Sequence, residues 1–150
     1  MVILKYLIER GVIALVKVIM GVKGSGKTKQ LIDLVKSALA EEKGDVVCIE
    51  KSSVLTYDIP YTARLVIASQ YNINNYEILK GFISGLHAGN YDITSIFIDN
   101  LLKIINENYD EKTDAFIKWC SDFSAREKVD FTLTVSADVA LASDEIKQYF

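Results

Sequence analysis

Eight residues concentrate the chemistry: Gly21, Val22, Lys23, Gly24, Ser25, Gly26, Lys27 and Thr28 satisfy G-x-x-x-x-G-K-[ST], between an apolar run and a run of helical periodicity. Glycines at these positions let the backbone curl so that successive N–H groups point inward, and the N-terminus of the following helix adds its dipole. A bound phosphate chain is what such a cradle suits. Lys27 is placed to neutralise β- and γ-phosphate charge, and the Thr28 hydroxyl to fill one position of a Mg²⁺ octahedron. A carboxylate must complete that site from the end of a buried strand, and "SIFIDN" supplies Asp99.

The elements that must position these residues read as alternating strands and helices. Val12 to Met20 is a β-branched apolar run, as expected of a strand buried on both faces of a parallel sheet. Leu31, Ile32, Val35, Ala38 and Leu39 then recur at helical spacing, with the helix stopping near Gly44. "DVVCIE", Asp45 to Glu50, reads as a second buried strand. The next stretch holds two short strand-like runs broken by Pro60, a hairpin or an excursion.

Asn74 or Asn75 caps a helix carrying Leu79, Phe82, Ile83 and Leu86 on one face, closed by Gly89. Ser95 to Asn100 is a third strand, and Ala115, Phe116, Trp119, Cys120 and Phe123 share one helical face. In "VDFTLTVSAD", Phe131, Leu133 and Val135 alternate with Thr132, Thr134 and Ser136, which predicts a strand near the sheet edge with one face less buried. A short helix from about Ser143 to Phe150 ends the chain. The fold class is therefore α/β, a three-layer α-β-α sandwich with a mainly parallel sheet.

Length and composition fit one domain over residues 1–150: half of the 150 residues are apolar and a quarter charged, without repeats or linkers. At net charge −3, with lysines spread along the chain, no clustered basic face advertises nucleic acid. The opening "MVILKYLIERGVIALVK" is interrupted by Lys5, Glu9 and Arg10 well short of the ~20 apolar residues a membrane span needs, so the expectation is a cytoplasmic protein without a membrane partner. Residues 1–14 read as an N-terminal extension: an added strand or helix, or a translated ribosome-binding sequence at "ERG" with the start near Leu15 or Val16. Cys48 and Cys120 lack CxxC spacing and read as buried reduced thiols. With His87 as the sole histidine, near a helix end and read as exposed, Ser-His and His-metal chemistry are set aside. Tyr57, Tyr61, Tyr71 and Tyr76 are read as half-buried packing in preference to base-stacking or partner contacts.

"GVKGSGKT" together with "SIFID" resembles the Walker A and Walker B pair of the P-loop NTPase superfamily. The resemblance implies binding of ATP, ahead of GTP because no N/T-K-x-D motif is present, with Mg²⁺ on Thr28 and Asp99 and often hydrolysis. Many hydrolytic members place a glutamate directly after the Walker B aspartate, where this chain has Asn100. The RecA-like branch instead carries its catalytic glutamate after the strand that follows the loop helix, and there the chain has Glu50 as candidate general base beside Lys27. Thr134 or Ser136 resembles the sensor position that touches the γ-phosphate. Only Arg10, Arg64 and Arg126 could serve as an arginine finger, so one supplied in trans implies a homo-oligomer or protein partner.

The leading expectation is a small ATPase or ATP-driven switch. A nucleoside or nucleotide kinase similar to type II thymidine kinases is the alternative, although the four zinc cysteines and the glutamate at Asn100 are missing. A non-hydrolysing nucleotide-binding module of a larger assembly is the third reading.

Overall fold

The computed structural model describes residues 15–55 and 57–150. The readings of residues 1–14, Arg10 included, lie outside them. In chain order the elements are β1 (Val16–Gly21), α1 (Lys27–Glu41), β2 (Asp45–Glu50), β3 (Arg64–Ile67), α2 (Tyr76–Gly89), β4 (Ile93–Ile98), α3 (Leu101–Ile105), α4 (Glu111–Glu127), β5 (Asp130–Ser136) and α5 (Asp144–Lys147). Three 3₁₀ turns, Ser53–Leu55, Ala68–Tyr71 and Val139–Leu141, punctuate them.

All five strands are parallel, in the order β1-β5-β4-β2-β3. Parallel strands need crossovers, and the intervening helices cover both faces of the sheet. On one face Leu31 and Val35 of α1 pack with Val46, Cys48 and Phe97, a layer that Leu55, Ile59 and Ala63 extend. On the other, Leu79 and Ile83 of α2 and Phe116, Ile117 and Phe123 of α4 close over Val18, Ile49, Ile96, Ile98 and Leu133. The result is an α/β three-layer sandwich. Among the described residues no helix is long and apolar enough to cross a membrane.

The expected strand beside the edge is corrected: β5 lies between β1 and β4, with Thr132 and Thr134 buried. Its threonine face turns towards α1 and the glycine loop, so the polar alternation marks the site rather than solvent. Of the hairpin and the excursion, the excursion is found: one turn, Ser53–Leu55, leads to one strand, β3, which joins β2 in parallel. Pro60 lies in the connection, where its lack of an N–H breaks no ladder.

Local chemistry accounts for the helix boundaries. The Asn75 side chain accepts from Ile78 N at the start of α2, and Asp110 with Thr113 forms a capping box on α4. His87, expected to be exposed, is buried in the last turn of α2, edge-on to Tyr91 and Phe123, with Nδ1 3.8 Å from Glu127 Oε2. Its ring fills the gap between α2 and α4. The tyrosines divide: Tyr76 is buried, stacked on Phe116 with its hydroxyl 2.8 Å from Thr113 Oγ1, whereas Tyr57 and Tyr61 are 99% and 97% exposed, against the half-buried packing expected of them. Leu55, Ile59 and Ala63 anchor that connection instead, which leaves the tyrosines outside.

Candidate functional site

Parallel strands deliver their C-terminal ends to one edge of the sheet, and there the loop, Glu50, Asp99 and Ser136 meet. The register sets the levels: Ile49 pairs with Ile98 and Ile98 with Leu133, so Glu50, Asp99 and Thr134 follow side by side on neighbouring strands. Gly21 is paired with Ser136.

The glycine loop owes its path to two left-handed residues, Gly24 at φ +84° and Gly26 at φ +80°. A side chain there would meet no neighbour but would cost about 1–2 kcal/mol in backbone strain. At Gly21 a Cβ would stand 2.8 Å from Ser25 Oγ, so that hydroxyl, which accepts from Lys27 Nζ, would have to turn aside. Gly26 is also the N-cap of α1, and no side chain caps that helix, unlike α2 and α4. The first-turn N–H groups of a 15-residue helix are thus left for an anion.

Lys27 is buried back over its own loop, its Nζ donating to Val22 O at 2.8 Å and to Ser25 Oγ at 3.2 Å. Thr28 is exposed, and its Oγ1 lies 3.3 and 3.4 Å from the two oxygens of Asp99. Asp99, only 8% exposed, takes a shorter bond from Thr134 Oγ1, 2.7 Å to Oδ1. Among the described residues no three His, Cys, Asp or Glu side chains converge to hold a metal. A hydroxyl and a carboxylate are hard oxygen donors that suit Mg²⁺, which ordinarily takes its other ligands from water and phosphate.

Two adjoining spaces open onto these groups. The larger, about 440 Å³, is lined by Lys23, Gly24 and the stretch from Gly26 to Lys29 together with Asn100, Thr134 and Ser136. The smaller, about 160 Å³, is lined by Thr28, Glu50, Asp99, Asn100, Lys51 and Lys103 among others. Thr28 and Asn100 border both. Five lysines, Lys23, Lys27, Lys29, Lys51 and Lys103, stand here against two carboxylates, so a chain that is acidic overall turns a cationic face to this edge.

No protein-family model matches this chain, and no curated protein matches it.

Glu50 ends β2, the strand end expected for it, and what holds it there is not legible in the sequence. Its carboxylate is buried and accepts from Val54 N at 2.9 Å and from Leu55 N at 3.0 Å, capping the 3₁₀ turn that follows β2. The two residues of that turn carry no side-chain signal for this bond. Burial pushes the Glu50 carboxyl above its ordinary 4.5; the N–H groups of Leu55 and Val54 oppose that shift and the Asp99 charge adds to it. Cys48, buried beneath the two acids, is pushed up to about 12 by the same burial and charges, which keeps it a thiol.

A raised native pKa means that the folded state holds its proton longer than the unfolded chain does. The Glu50 contribution to stability is therefore full below 4.5 and declines as pH climbs towards the raised value. Asp130, lifted by burial against the pull of the Leu15 N–H and Lys43, slopes the same way, so the comparison must be with Glu50→Gln. Urea midpoints measured across the acid range are expected to fall more steeply in wild type than in that variant. Parallel slopes would show that Glu50 titrates alike in both states.

Neither described arginine reaches this edge. Arg64 opens β3 and Arg126 closes α4 just before β5, which puts both at the opposite, N-terminal ends of the strands. Arg126 lies over the Phe123 ring and bonds Glu127. In the sequence Asn100 signals only a missing glutamate. Its backbone proves unusual, left-handed at φ 54°, with its N–H held by Thr134 Oγ1 at 2.7 Å.

Proposed function

We propose that this chain is a P-loop nucleotide-binding protein of the RecA-like kind, a cytoplasmic ATPase or ATP-driven switch that works with Mg²⁺. The observation that carries the reading is the meeting of an uncapped helix N-terminus, Lys27 and Thr28 on one cationic space, with Asp99 lining the space that adjoins it through Thr28. Loop N–H groups and Lys27 would hold the phosphates of ATP, and Thr28 and Asp99 would hold Mg²⁺, which supplies charge neutralisation on the β- and γ-oxygens. GTP is the lesser candidate.

Glu50 supplies the base in this reading. The Val54 and Leu55 N–H groups orient its carboxylate and leave lone pairs over, since a carboxylate has about four acceptor positions. Its raised pKa makes it a stronger base than an exposed glutamate. A water held beside it in the smaller space would lose its proton to a carboxylate oxygen as the phosphate is attacked. Arg64 and Arg126, the arginines among the described residues, stand at the far edge, so among these residues only the lysines stabilise charge here, and a second copy or another protein would add to them.

A second reading, a module that binds ATP without turning it over, is favoured by Asn100 and by the engagement of Glu50 with the turn. Binding of ATP, with and without Mg²⁺, followed together with phosphate release separates the two. Wild type is expected to bind Mg·ATP and release phosphate slowly, and Glu50→Gln to bind equally while release falls on the order of 10²–10⁴-fold. Binding without release in wild type would establish the module. Absence of any nucleotide binding would remove both.

A further inference from the structure

The Thr134 hydroxyl sits in the middle of the site with its bonding already committed. It is 1% exposed, donates its only proton to Asp99 Oδ1 at 2.7 Å and accepts the Asn100 N–H at 2.7 Å. Both bonds are shorter than those between Thr28 and Asp99. The arrangement depends on the strand order, because β5 stands between the loop strand β1 and the Asp99 strand β4 and so carries a side chain into the gap. With its proton spent, Thr134 reaches a phosphate only through Asp99.

We propose that Thr134 is the positioning residue of the cation site, orienting the Asp99 carboxylate and fixing the left-handed backbone of Asn100. The inference rests on the function proposed above and adds a role to it. Holding Oδ1 from the β5 side leaves Oδ2, whose one contact at hydrogen-bond range among the described residues is Thr28 at 3.4 Å, as the oxygen turned to a cation. Holding the Asn100 N–H pins the residue that borders both spaces and whose carbonyl begins α3, accepting from Lys103 N and Ile104 N. One hydroxyl thereby ties the metal ligand to the start of the next helix. A change in what Asp99 binds would pass to Asn100 and α3 by this path.

The test uses Mn²⁺ as the probe and ATP as the nucleotide, with affinities measured in EDTA and in saturating Mn²⁺, and the bound metal followed by its paramagnetic spectrum. Thr134→Val keeps the shape and removes the hydroxyl; it is expected to bind ATP in EDTA within about twofold of wild type but Mn·ATP about 10–100-fold more weakly. Thr134→Ser, which restores the donor, is expected to recover wild-type affinity and spectrum. If the valine variant does not fold, Thr134→Cys, a poorer donor of similar size, takes its place with the same selective loss expected. A folded variant with wild-type Mn·ATP affinity, or with equal losses in EDTA and Mn²⁺, would overturn the inference alone. Wild type gaining nothing from Mn²⁺ would overturn it together with the proposed function.

Discussion

Lys27→Ala is expected to lower ATP affinity roughly 100-fold or more while leaving the fold nearly as stable as before. The ammonium is the one loop cation buried at the mouth of α1, and hydrogen bonds to a charged donor are worth about 1.5–3 kcal/mol each. Two of them, about 3–6 kcal/mol together, account for a factor of about 10²–10⁴ in affinity. The stability change is small because the bonds lost, to Val22 O and Ser25 Oγ, tie the loop only to itself. Calorimetric titration of ATP against both proteins, with urea midpoints of the free forms, checks each half. Wild-type affinity in Lys27→Ala would mean that ATP, if it binds, binds somewhere other than the loop. Lys27→Arg is not expected to rescue, since a planar fork cannot replace a compact ammonium in this curl.

The loop could be read in advance because its chemistry is local. Glycines, lysine and threonine lie within eight successive residues, and the flanking strand and helix announce themselves by period. Asp45–Glu50 was legible to the residue, as a short apolar run with charged ends buried in a parallel sheet. A cap at Asn74 or Asn75, which is Asn75, and Phe116, Cys120 and Phe123 on the buried face of α4 followed from equally short-range rules, whereas Ala115 is exposed and buried Ile117 is not among the residues expected on that face. What escaped was non-local. Nothing within "DFTLTVS" states that β5 inserts between β1 and β4, so its threonine face reads as the less buried one of a strand near the edge, and only the family resemblance offers Thr134 or Ser136 to the site, although Thr134 is bonded to Asp99 and Asn100. Pairing across 34 and 35 positions of chain is decided by the sheet, not by the segment. The same limit hid the burial of His87, which depends on α4 arriving beside α2. Glu50 shows the intermediate case. Its position at a strand end was readable, but its bonds to Val54 and Leu55 N–H groups depend on a turn without a sequence signature.

Asp99→Asn is expected to strengthen the free protein and to disable it. Asp99 and Glu50 are buried on adjacent strands, and the Asp99 charge raises both the Glu50 carboxyl and the Cys48 thiol. Like charges in a low-dielectric interior repel strongly, and burial of each carboxylate has already cost hydration. Asparagine removes one charge yet keeps an oxygen to accept the Thr134 hydroxyl and adds an amide that can donate to Thr28 Oγ1. The hydrogen-bonding set survives while the repulsion goes. A gain of about 0.5–2 kcal/mol in urea unfolding is the expected size for relief of this kind. The Glu50 pH slope should become shallower without vanishing, because burial is its larger cause and the Asp99 charge a smaller one. Affinity for Mg·ATP should fall about 100-fold or more, as the neutral amide is a poor ligand for a hard divalent cation. Stability rising as Mg²⁺ affinity falls is the signature of a carboxylate retained for its ligand against its cost to the fold. Were Asp99→Asn instead to lose stability and keep Mg²⁺ affinity, Asp99 would be a structural cap, and the cation would have to be held elsewhere.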